Sequence, residues 1–474
     1  MSPSFDLVVI GGGAGGLVAA AGAATLGASV ALIERHRLGG DCLWTGCVPS
    51  KTLLASARMA HGMRRAELFG LRSADPQAEI ARVMTRVERV IADIAPHDSP
   101  ERFRSLGVDV IIGQGRFVAP DRVEVDGRTL TARAFVVATG SRPAVPPIPG
   151  LARIPFLTSE NVFALRQPVA SLLVLGAGPI GCEMAQAFAR LGTDVTVVDL
   201  APEILPREDA DAAVVVRDVL AAEGVRFELG VDVGAARSGD HGVELELSRD
   251  GARWTRAASR LLVASGRTPN VDDLGLERAG VRIERGRPVL DAGLRTSNDR
   301  IYVIGDAAGG AQFTHLAEHH AGIVLRRALF HMRWSRPSPV LPWCTFTDPE
   351  LARVGLSETE ARARNVRHEV HRIATRELDR ARTEDDMAGF AKLVTTPRGK
   401  LLGATIVAPH AGELIAEPAL ALAHGMKASD LSMVVHAYPT YAQIVKRAAD
   451  ARLKSALTRR AKSRLQWLFR LRGA

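Results

Sequence analysis

The sequence predicts an α/β protein built from three packed units, and three observations predict it. A glycine-rich turn between an apolar strand and a helix begins at residue 11. The same turn, with the same downstream spacing, begins again at residue 176. From Val340 onward short strands alternate with helices and no third turn of this kind occurs. A length of 474 residues suits about three domains. A hydrophobic fraction of 47% supplies ordinary globular cores. No apolar run reaches membrane-spanning length. The first strand, from Leu7, has no charged leader ahead of it, so a cytoplasmic protein is expected.

The first unit opens with Leu7-Val8-Val9-Ile10 as a strand and Gly11-Gly12-Gly13-Ala14-Gly15-Gly16 as a G-x-G-x-x-G turn. Gly11 makes the tight turn, Gly13 lets backbone approach a pyrophosphate, and Gly16 lets helix and strand pack closely. The phosphates then sit on a helix N-terminus, where free N–H groups and the dipole favour anions. Glu34 closes the second strand, 23 residues after Gly11, where a carboxylate can accept ribose hydroxyls. In the second unit Leu172 to Leu175 is a strand and Gly176-Ala177-Gly178-Pro179-Ile180-Gly181 repeats the turn. Asp199 follows Gly176 by the same 23 residues. Two copies of one spacing imply two Rossmann-like dinucleotide sites, hence transfer between two cofactors. Asp199 suits a ribose 2′-hydroxyl and repels a 2′-phosphate, which favours NADH over NADPH; Arg207, farther on, is the residue that weakens this preference.

Between the two turns lies Gly39-Gly40-Asp41-Cys42-Leu43-Trp44-Thr45-Gly46-Cys47-Val48-Pro49-Ser50-Lys51. It holds two of the four cysteines in the chain, five residues apart. Such a pair can close a small-ring disulfide, and strained or exposed disulfides are the labile, catalytic ones. In a reducing compartment this points to redox chemistry rather than a structural staple. No second Cys or His pair stands at metal spacing, so no metal centre is expected. Cys182 and Cys344 read as buried small residues.

The remaining elements follow from periodicity. Helices are expected over 51–69, 77–106 and 313–330, the second from Ile80, Val83, Met84, Val87, Val90, Ile91 and Ile94 at helical spacing. Short strands are expected over 108–112, 116–118, 123–125 and 134–138, running into Ala138-Thr139-Gly140-Ser141-Arg142-Pro143. Residues 262–270, which include Gly266, echo that segment. Ile301-Tyr302-Val303-Ile304-Gly305-Asp306 is an apolar strand with an acid at its C-terminal end, where ligands gather in parallel sheets. Beyond Val340, strand-like pieces at Phe346, 353–355, 392–395 and 401–407 alternate with helices over 357–363, 413–424 and 429–435.

The net charge of +9 is unevenly placed. From Lys446 to Arg472 there are ten Lys/Arg and one acid, Asp450, so the rest of the chain is formally neutral. This gives no support to a nucleic-acid-binding body. Residues 446–474 read as one basic amphipathic helix, with Leu453, Leu457, Ala461, Leu465 and Leu468 at helical spacing and Trp467, Phe469 and Leu471 near its end. It suits either a solvated helix packed on a partner subunit or peripheral contact with an anionic membrane surface.

The order of motifs resembles the pyridine nucleotide–disulfide oxidoreductases, the flavoenzyme family of lipoamide dehydrogenase, glutathione reductase and mercuric reductase. The resemblance covers residues 5 to about 450. Its most specific part is Gly39 to Lys51, and Cys-Leu-Trp-Thr-Gly-Cys looks closest to the mercuric-reductase-like branch. It implies FAD held by Gly11, Gly13, Gly16, Glu34, Lys51, Thr139, Gly140 and Asp306. It implies the nicotinamide nucleotide held by Gly176, Gly178, Gly181, Glu183, Asp199 and Gly266. Cys47 would lie against the flavin, and Cys42 would meet the substrate. Lys51 would pair with Glu183 beside the flavin, though the same two residues suit a structural ion pair. The implied division is an FAD-binding domain in two parts (1–150 and 271–338), an NAD(P)-binding domain (151–270), a dimerisation domain (339–450) and the tail (451–474). The enzyme would be a homodimer whose active sites borrow residues from both subunits.

One departure stands out. Disulfide reductases of the family carry a His immediately before Pro-Thr near the C-terminus, with a Glu five residues later. Here Tyr438 precedes Pro439-Thr440, and Gln443 takes the Glu position. A tyrosine, with a pKa of about 10, is a poor proton shuttle near neutrality. His436 is the alternative acid–base group, without Gln443 being able to hold it as an imidazolium; it equally suits a loop histidine with a satisfied hydrogen bond. A Tyr at this place resembles mercuric reductases, yet no cysteine follows Cys344 to hand over a metal. The expected acceptor is a small molecule taken at Cys42. A quinone or other direct acceptor of flavin electrons, with the cysteines peripheral, is the alternative.

Overall fold

The computed structural model describes residues 4–240 and 242–472. In the first unit, strands β1 (Phe5–Ile10), β2 (Val30–Glu34), β3 (Val108–Ile112), β4 (Arg128–Val137) and β5 (Ile301–Val303) are parallel, in the order β3-β2-β1-β4-β5. The apolar run of β1 is buried on both faces, as parallel strands are. Alternate side chains point to opposite faces. Leu7 and Val9 pack with the helices on one side, and Val8 and Ile10 pack with Phe117, Phe135 and Leu276 on the other. The strand expected to end in Asp306 thus enters the first sheet from far along the chain, its Ile301 to Val303 in register with Phe135 to Val137.

Helix α1 (Ala14–Thr25) follows the first glycine turn. Helices α2 (Gly40–Trp44) and α3 (Cys47–Arg64) carry the two cysteines. The helix expected over 51–69 therefore starts earlier, at Cys47, and Ala66–Phe69 forms a separate 3₁₀ turn. The helix expected over 77–106 is broken. It becomes Ile80–Ile94, a 3₁₀ turn, and Pro100–Ser105, because Pro96 and Pro100 lack the N–H a continuous helix needs. Ser99 caps the last piece by accepting the N–H of Arg102.

The second unit repeats the first in miniature. Strand β6 (Ser171–Leu175), helix α4 (Pro179–Arg190) and strand β7 (Asp194–Asp199) surround the second glycine turn, in a four-stranded parallel sheet. A two-stranded antiparallel link, Ser141–Pro143 with Arg267–Pro269, joins the units where the chain leaves and re-enters. Helix α5 (Thr314–Phe330) closes the first unit against α1.

The third unit is a five-stranded antiparallel sheet with helices packed on it. Its strands are Pro342–Thr345, Glu350–Gly355, Glu369–Ala374, Phe390–Thr395 and Leu401–Ala408. Phe346 lies just past the first strand rather than within it. The third strand was not expected. Its charged residues hide the alternation, and Arg372 spends its length over the Phe390 ring at 3.8 Å. The buried Lys392 docks this unit on the second, meeting Asp209 and Asp211 at 3.2 and 2.7 Å beside Glu358 of its own unit at 3.1 Å. The single basic helix expected over 446–474 is two helices, Gln443–Ala456 and Arg459–Arg472. The break falls at Leu457, and the hydroxyl of Thr458 accepts the N–H of Ala461 to start the second.

Candidate active site

The two glycine turns are built alike to the level of single atoms. Gly11 and Gly176 sit at φ +108 and +116, a region that favours glycine. A Cβ on Gly16 would lie 1.8 Å from the Gly11 carbonyl oxygen, and one on Gly181 would lie 1.9 Å from that of Gly176. Each acid at the end of the following strand ties its turn. Glu34 accepts the N–H groups of Gly12 (2.7 Å) and His36 (2.8 Å). Asp199 accepts those of Ala177 (2.5 Å) and Ala201 (2.7 Å). Each carboxylate oxygen keeps a lone pair for a further donor.

The middle glycines differ in kind. A Cβ on Gly178 would meet nothing within 4 Å, and on Gly13 only Gly40 Cα at 3.7 Å. Protein packing therefore does not require glycine there; open space in front of a helix N-terminus does.

The redox segment is seated on the first turn, backbone to backbone. Gly40 has φ +57, and a Cβ there would lie 2.6 Å from Gly13 Cα. Cys47 is the first residue of α3, where the helix dipole favours an anion. Both cysteines are thiols in this structure. The neighbouring Cys42 thiol is the largest influence holding Cys47 down, to about 6; the Thr314 hydroxyl at 3.4 Å and the Lys51 ammonium add to it against burial and the Asp41 carboxylate. The same contact, burial and the neighbouring thiolate push Cys42 well up. Of the two sulfurs, Cys47 is therefore the one whose surroundings favour the thiolate. Burial pushes up both the fully buried Cys182 thiol and the half-buried Cys344 thiol, so neither is held as a thiolate.

Lys51, one turn into α3, donates to Glu183 Oε2 at 2.9 Å and lies over the Phe346 ring at 4.4 Å. Glu183 Oε1 accepts the Phe346 N–H at 2.9 Å. Asp306, half-buried in the 3₁₀ turn Gly305–Ala308 that follows β5, accepts the Ser141 hydroxyl at 2.5 Å, and partial burial raises its pKa. Thr139 and Gly140 are stitched to Asn270 by hydrogen bonds of 2.5, 3.1 and 2.9 Å, and Gly266 at φ +132 leads into that link.

Two residues of this site escaped sequence reasoning. Thr314, at the start of α5, is 267 positions from Cys47. Arg267 donates to Ser141 Oγ at 2.7 Å and pairs with Asp41 at 2.9 Å, bridging the inter-unit link to the cysteine segment. Its echo of the first Gly-Ser-Arg-Pro segment was the only signal.

Tyr438 and His436 stand on the third unit, and their hydrogen bonds go to residues of that unit. Tyr438 is 68% exposed and donates to Asp379 at 3.0 Å, which raises its pKa. His436 has a carboxylate partner after all: Nε2 meets Glu417 at 3.0 Å, with Nδ1 3.1 Å from the Val434 carbonyl. Glu417, not residue 443, is that partner, and both ring nitrogens are engaged.

Residues 5–321 match the family model described as pyridine nucleotide-disulphide oxidoreductase, and residues 341–449 match that family's dimerisation domain. The chain belongs to this family. The mercuric reductase of Streptomyces lividans is 34% identical over 455 residues, covering 94% of this chain and 96% of its own. The dihydrolipoyl dehydrogenase of Thermus scotoductus is 35% identical over 473 residues, covering 96% and 98%. Among solved structures, LpdA from Mycobacterium tuberculosis superposes with a TM-score of 0.85 at 30% identity, covering 94% of this chain and 99% of that one. The HOCl-induced flavoprotein disulfide reductase RclA from Escherichia coli does so at 0.83 and 29%, with the same coverage. As a member of the family, the chain is an FAD-dependent oxidoreductase that uses NAD(P)H, carries a redox-active disulfide and forms a homodimer. The residues fit those cofactors: the space at Gly13 and Gly178 leaves room for a pyrophosphate at each turn, and Glu34 and Asp199 retain acceptor capacity for a ribose. No helix among the described residues is long and apolar enough to cross a membrane.

Gly178→Ala will fold with unchanged Tm, because its methyl meets no protein atom, while KM for the nicotinamide nucleotide rises about tenfold or more through loss of phosphate contacts. A large fall in Tm with unaltered KM would refute the reading of that space. In the reduced enzyme the Cys47 thiolate is present above pH about 6 and is lost as pH falls through that value. Thr314→Val removes a hydrogen bond to it and will move the midpoint up by about one pH unit, followed by ultraviolet thiolate absorbance. An unmoved midpoint would show that Thr314 does not hold the anion.

Proposed function

We propose that this enzyme passes electrons from NADH to the Cys42–Cys47 pair and on to a thiophilic metal cation bound by those thiols, as in the mercuric-reductase-like branch. FAD held at the first turn would supply the hydride-accepting and electron-relaying chemistry between nicotinamide and the thiols. In this reading FAD is held by Gly11, Gly13, Gly16, Glu34, Lys51, Thr139, Gly140 and Asp306 of a domain formed by residues 1–150 and 271–338. The nicotinamide nucleotide is held by Gly176, Gly178, Gly181, Glu183, Asp199 and Gly266 of residues 151–270. Asp199, followed by Leu200 and Ala201, favours a ribose hydroxyl over a phosphate, hence NADH.

The single observation that carries the acceptor class is the absence of a free base at the position where Tyr438 stands. Reduction of a disulfide substrate releases a thiolate that must be protonated, and Cys42 must lose its own proton to attack. Asp379 holds the Tyr438 phenol above its ordinary range, and His436 is engaged at both nitrogens. A soft cation needs neither service. A thiol that coordinates a metal is deprotonated outright, and thiolates select soft metals. The raised pKa of Cys42 is then no barrier once the cation is in contact. Tyr438 would act in the partner subunit's site as a neutral phenol bordering that cation, and His436 as its positioning neighbour.

The test compares NADH oxidation driven by mercuric ion presented as a thiol complex with that driven by glutathione disulfide and by lipoamide. The metal is expected to turn over and the disulfides to lag by orders of magnitude, with metal turnover abolished in Cys42→Ser. Equal turnover of a disulfide would contradict the acceptor class. Full activity in Cys42→Ser would place the exit of electrons at the flavin and favour a quinone-like acceptor.

A further inference from the structure

Arg267 stands where the chain re-enters the first unit, in the strand Arg267–Pro269 that pairs with Ser141–Pro143. Its side chain is 12% exposed and reaches three other segments. Nε donates to Ser141 Oγ at 2.7 Å, and Nη2 donates to the Ser141 carbonyl at 3.1 Å. Nη2 also meets Asp41 Oδ2 at 2.9 Å, and Nε lies 3.8 Å from Asp306 Oδ2. One cation thus stands between two carboxylates that arrive from distant parts of the chain.

Asp41 directly precedes Cys42. Its carboxylate is held at both oxygens: Oδ1 accepts the Thr45 hydroxyl and Oδ2 meets Arg267. The redox segment closes around it. A Cβ on Gly46, the residue before Cys47, would lie 3.2 Å from Asp41 Oδ2 and 2.9 Å from the Asp41 carbonyl oxygen. A structural tie between the units does not need this contact. The Ser141 hydrogen bonds and the strand pairing supply one without Asp41.

The charge matters because of what reduction does to the pair. The S–S bond takes up two electrons and one proton; one sulfur keeps the proton, and above pH about 6 Cys47 keeps a negative charge. The electrons come from NADH through bound FAD. The pair therefore passes from neutral to singly negative, and every fixed charge close to it enters the midpoint potential. The Lys51 ammonium favours the new charge at Cys47, and the Asp41 carboxylate opposes it at both sulfurs. Arg267 is the cation seated against that carboxylate.

We propose that Arg267 is a positioning residue for the redox pair: it fixes and offsets the Asp41 carboxylate and so sets the reduction potential of Cys42–Cys47. This rests on Cys42–Cys47 being the electron relay, and stands whichever acceptor follows.

Anaerobic equilibration of the FAD-loaded dimer in buffers of reduced and oxidised dithiothreitol, at pH about 8, tests this. The long-wavelength band of the thiolate beside the flavin and alkylation of freed thiols report the couple. Asp41→Asn will move the equilibrium about tenfold toward the thiols, about 30 mV upward. Arg267→Met will move it about tenfold the other way. Arg267→Lys keeps the charge and will stay near the unaltered enzyme, and Arg267→Met combined with Asp41→Asn will recover most of the shift. Asp41→Asn and Arg267→Met moving the midpoint in the same direction would overturn the proposal. So would midpoints that stay in place while Tm falls, which would leave Arg267 a structural tie. Absence of any thiol couple in the unaltered enzyme would instead overturn the electron path through Cys42–Cys47, and this proposal with it.

Discussion

The Lys51–Glu183 ion pair is where the three units meet. Lys51 comes from the helix that Cys47 begins, Glu183 from the helix of the second glycine turn, and the Phe346 N–H that Glu183 accepts from the edge of the third unit. Lys51 is 36% exposed on its open side while Glu183 is 6% exposed. The carboxylate of the pair is thus held in protein while the ammonium keeps an exposed side. Removing either member would leave the other without its partner at the junction, at a cost of several kcal/mol for the buried carboxylate. The same ammonium helps hold Cys47 as a thiolate, so one cation serves both the joint and the chemistry.

The arrangement assigns the two thiols unlike roles before any substrate arrives. A proton shared between close thiols settles on one of them, and the surroundings choose which. Burial and Asp41 act against a thiolate at both sulfurs and Thr314 favours one at both, whereas the helix N-terminus and the Lys51 ammonium favour Cys47. The glycine turn positions all of this, since Gly40 rests on Gly13 so closely that a Cβ on Gly40 would lie 2.6 Å from Gly13 Cα. Phosphate cradle and redox pair are thus one rigid piece.

Much of this was legible in the sequence because it is local. The two turns, their acids and the cysteine segment each span fewer than 30 residues, and repetition of one spacing made them specific. What was missed is non-local. Thr314 and Arg267 reach the cysteine segment across 267 and 226 positions, and no periodicity reports such a contact. The broken helix at Pro96 shows a different failure: an apolar stripe at helical spacing outweighed two prolines whose chemistry was plain. The strand Glu369–Ala374 was hidden because charged side chains covered apolar surface with their stems. At His436 the sequence pointed to residue 443 for a carboxylate, whereas the fold brings Glu417 from a preceding helix. Substituting Tyr for His at 438 is a local change whose meaning is read only beside Asp379.

The most direct measurement is anaerobic titration of the purified enzyme with NADH, following the visible spectrum. If electrons reach the Cys42–Cys47 pair and Cys47 is the thiolate beside the flavin, a long-wavelength band will appear at one equivalent of NADH. That band will vanish in Cys47→Ser and persist in Cys42→Ser. Bleaching of the flavin without such a band, at any pH above about 6, would contradict the account and make the cysteines bystanders.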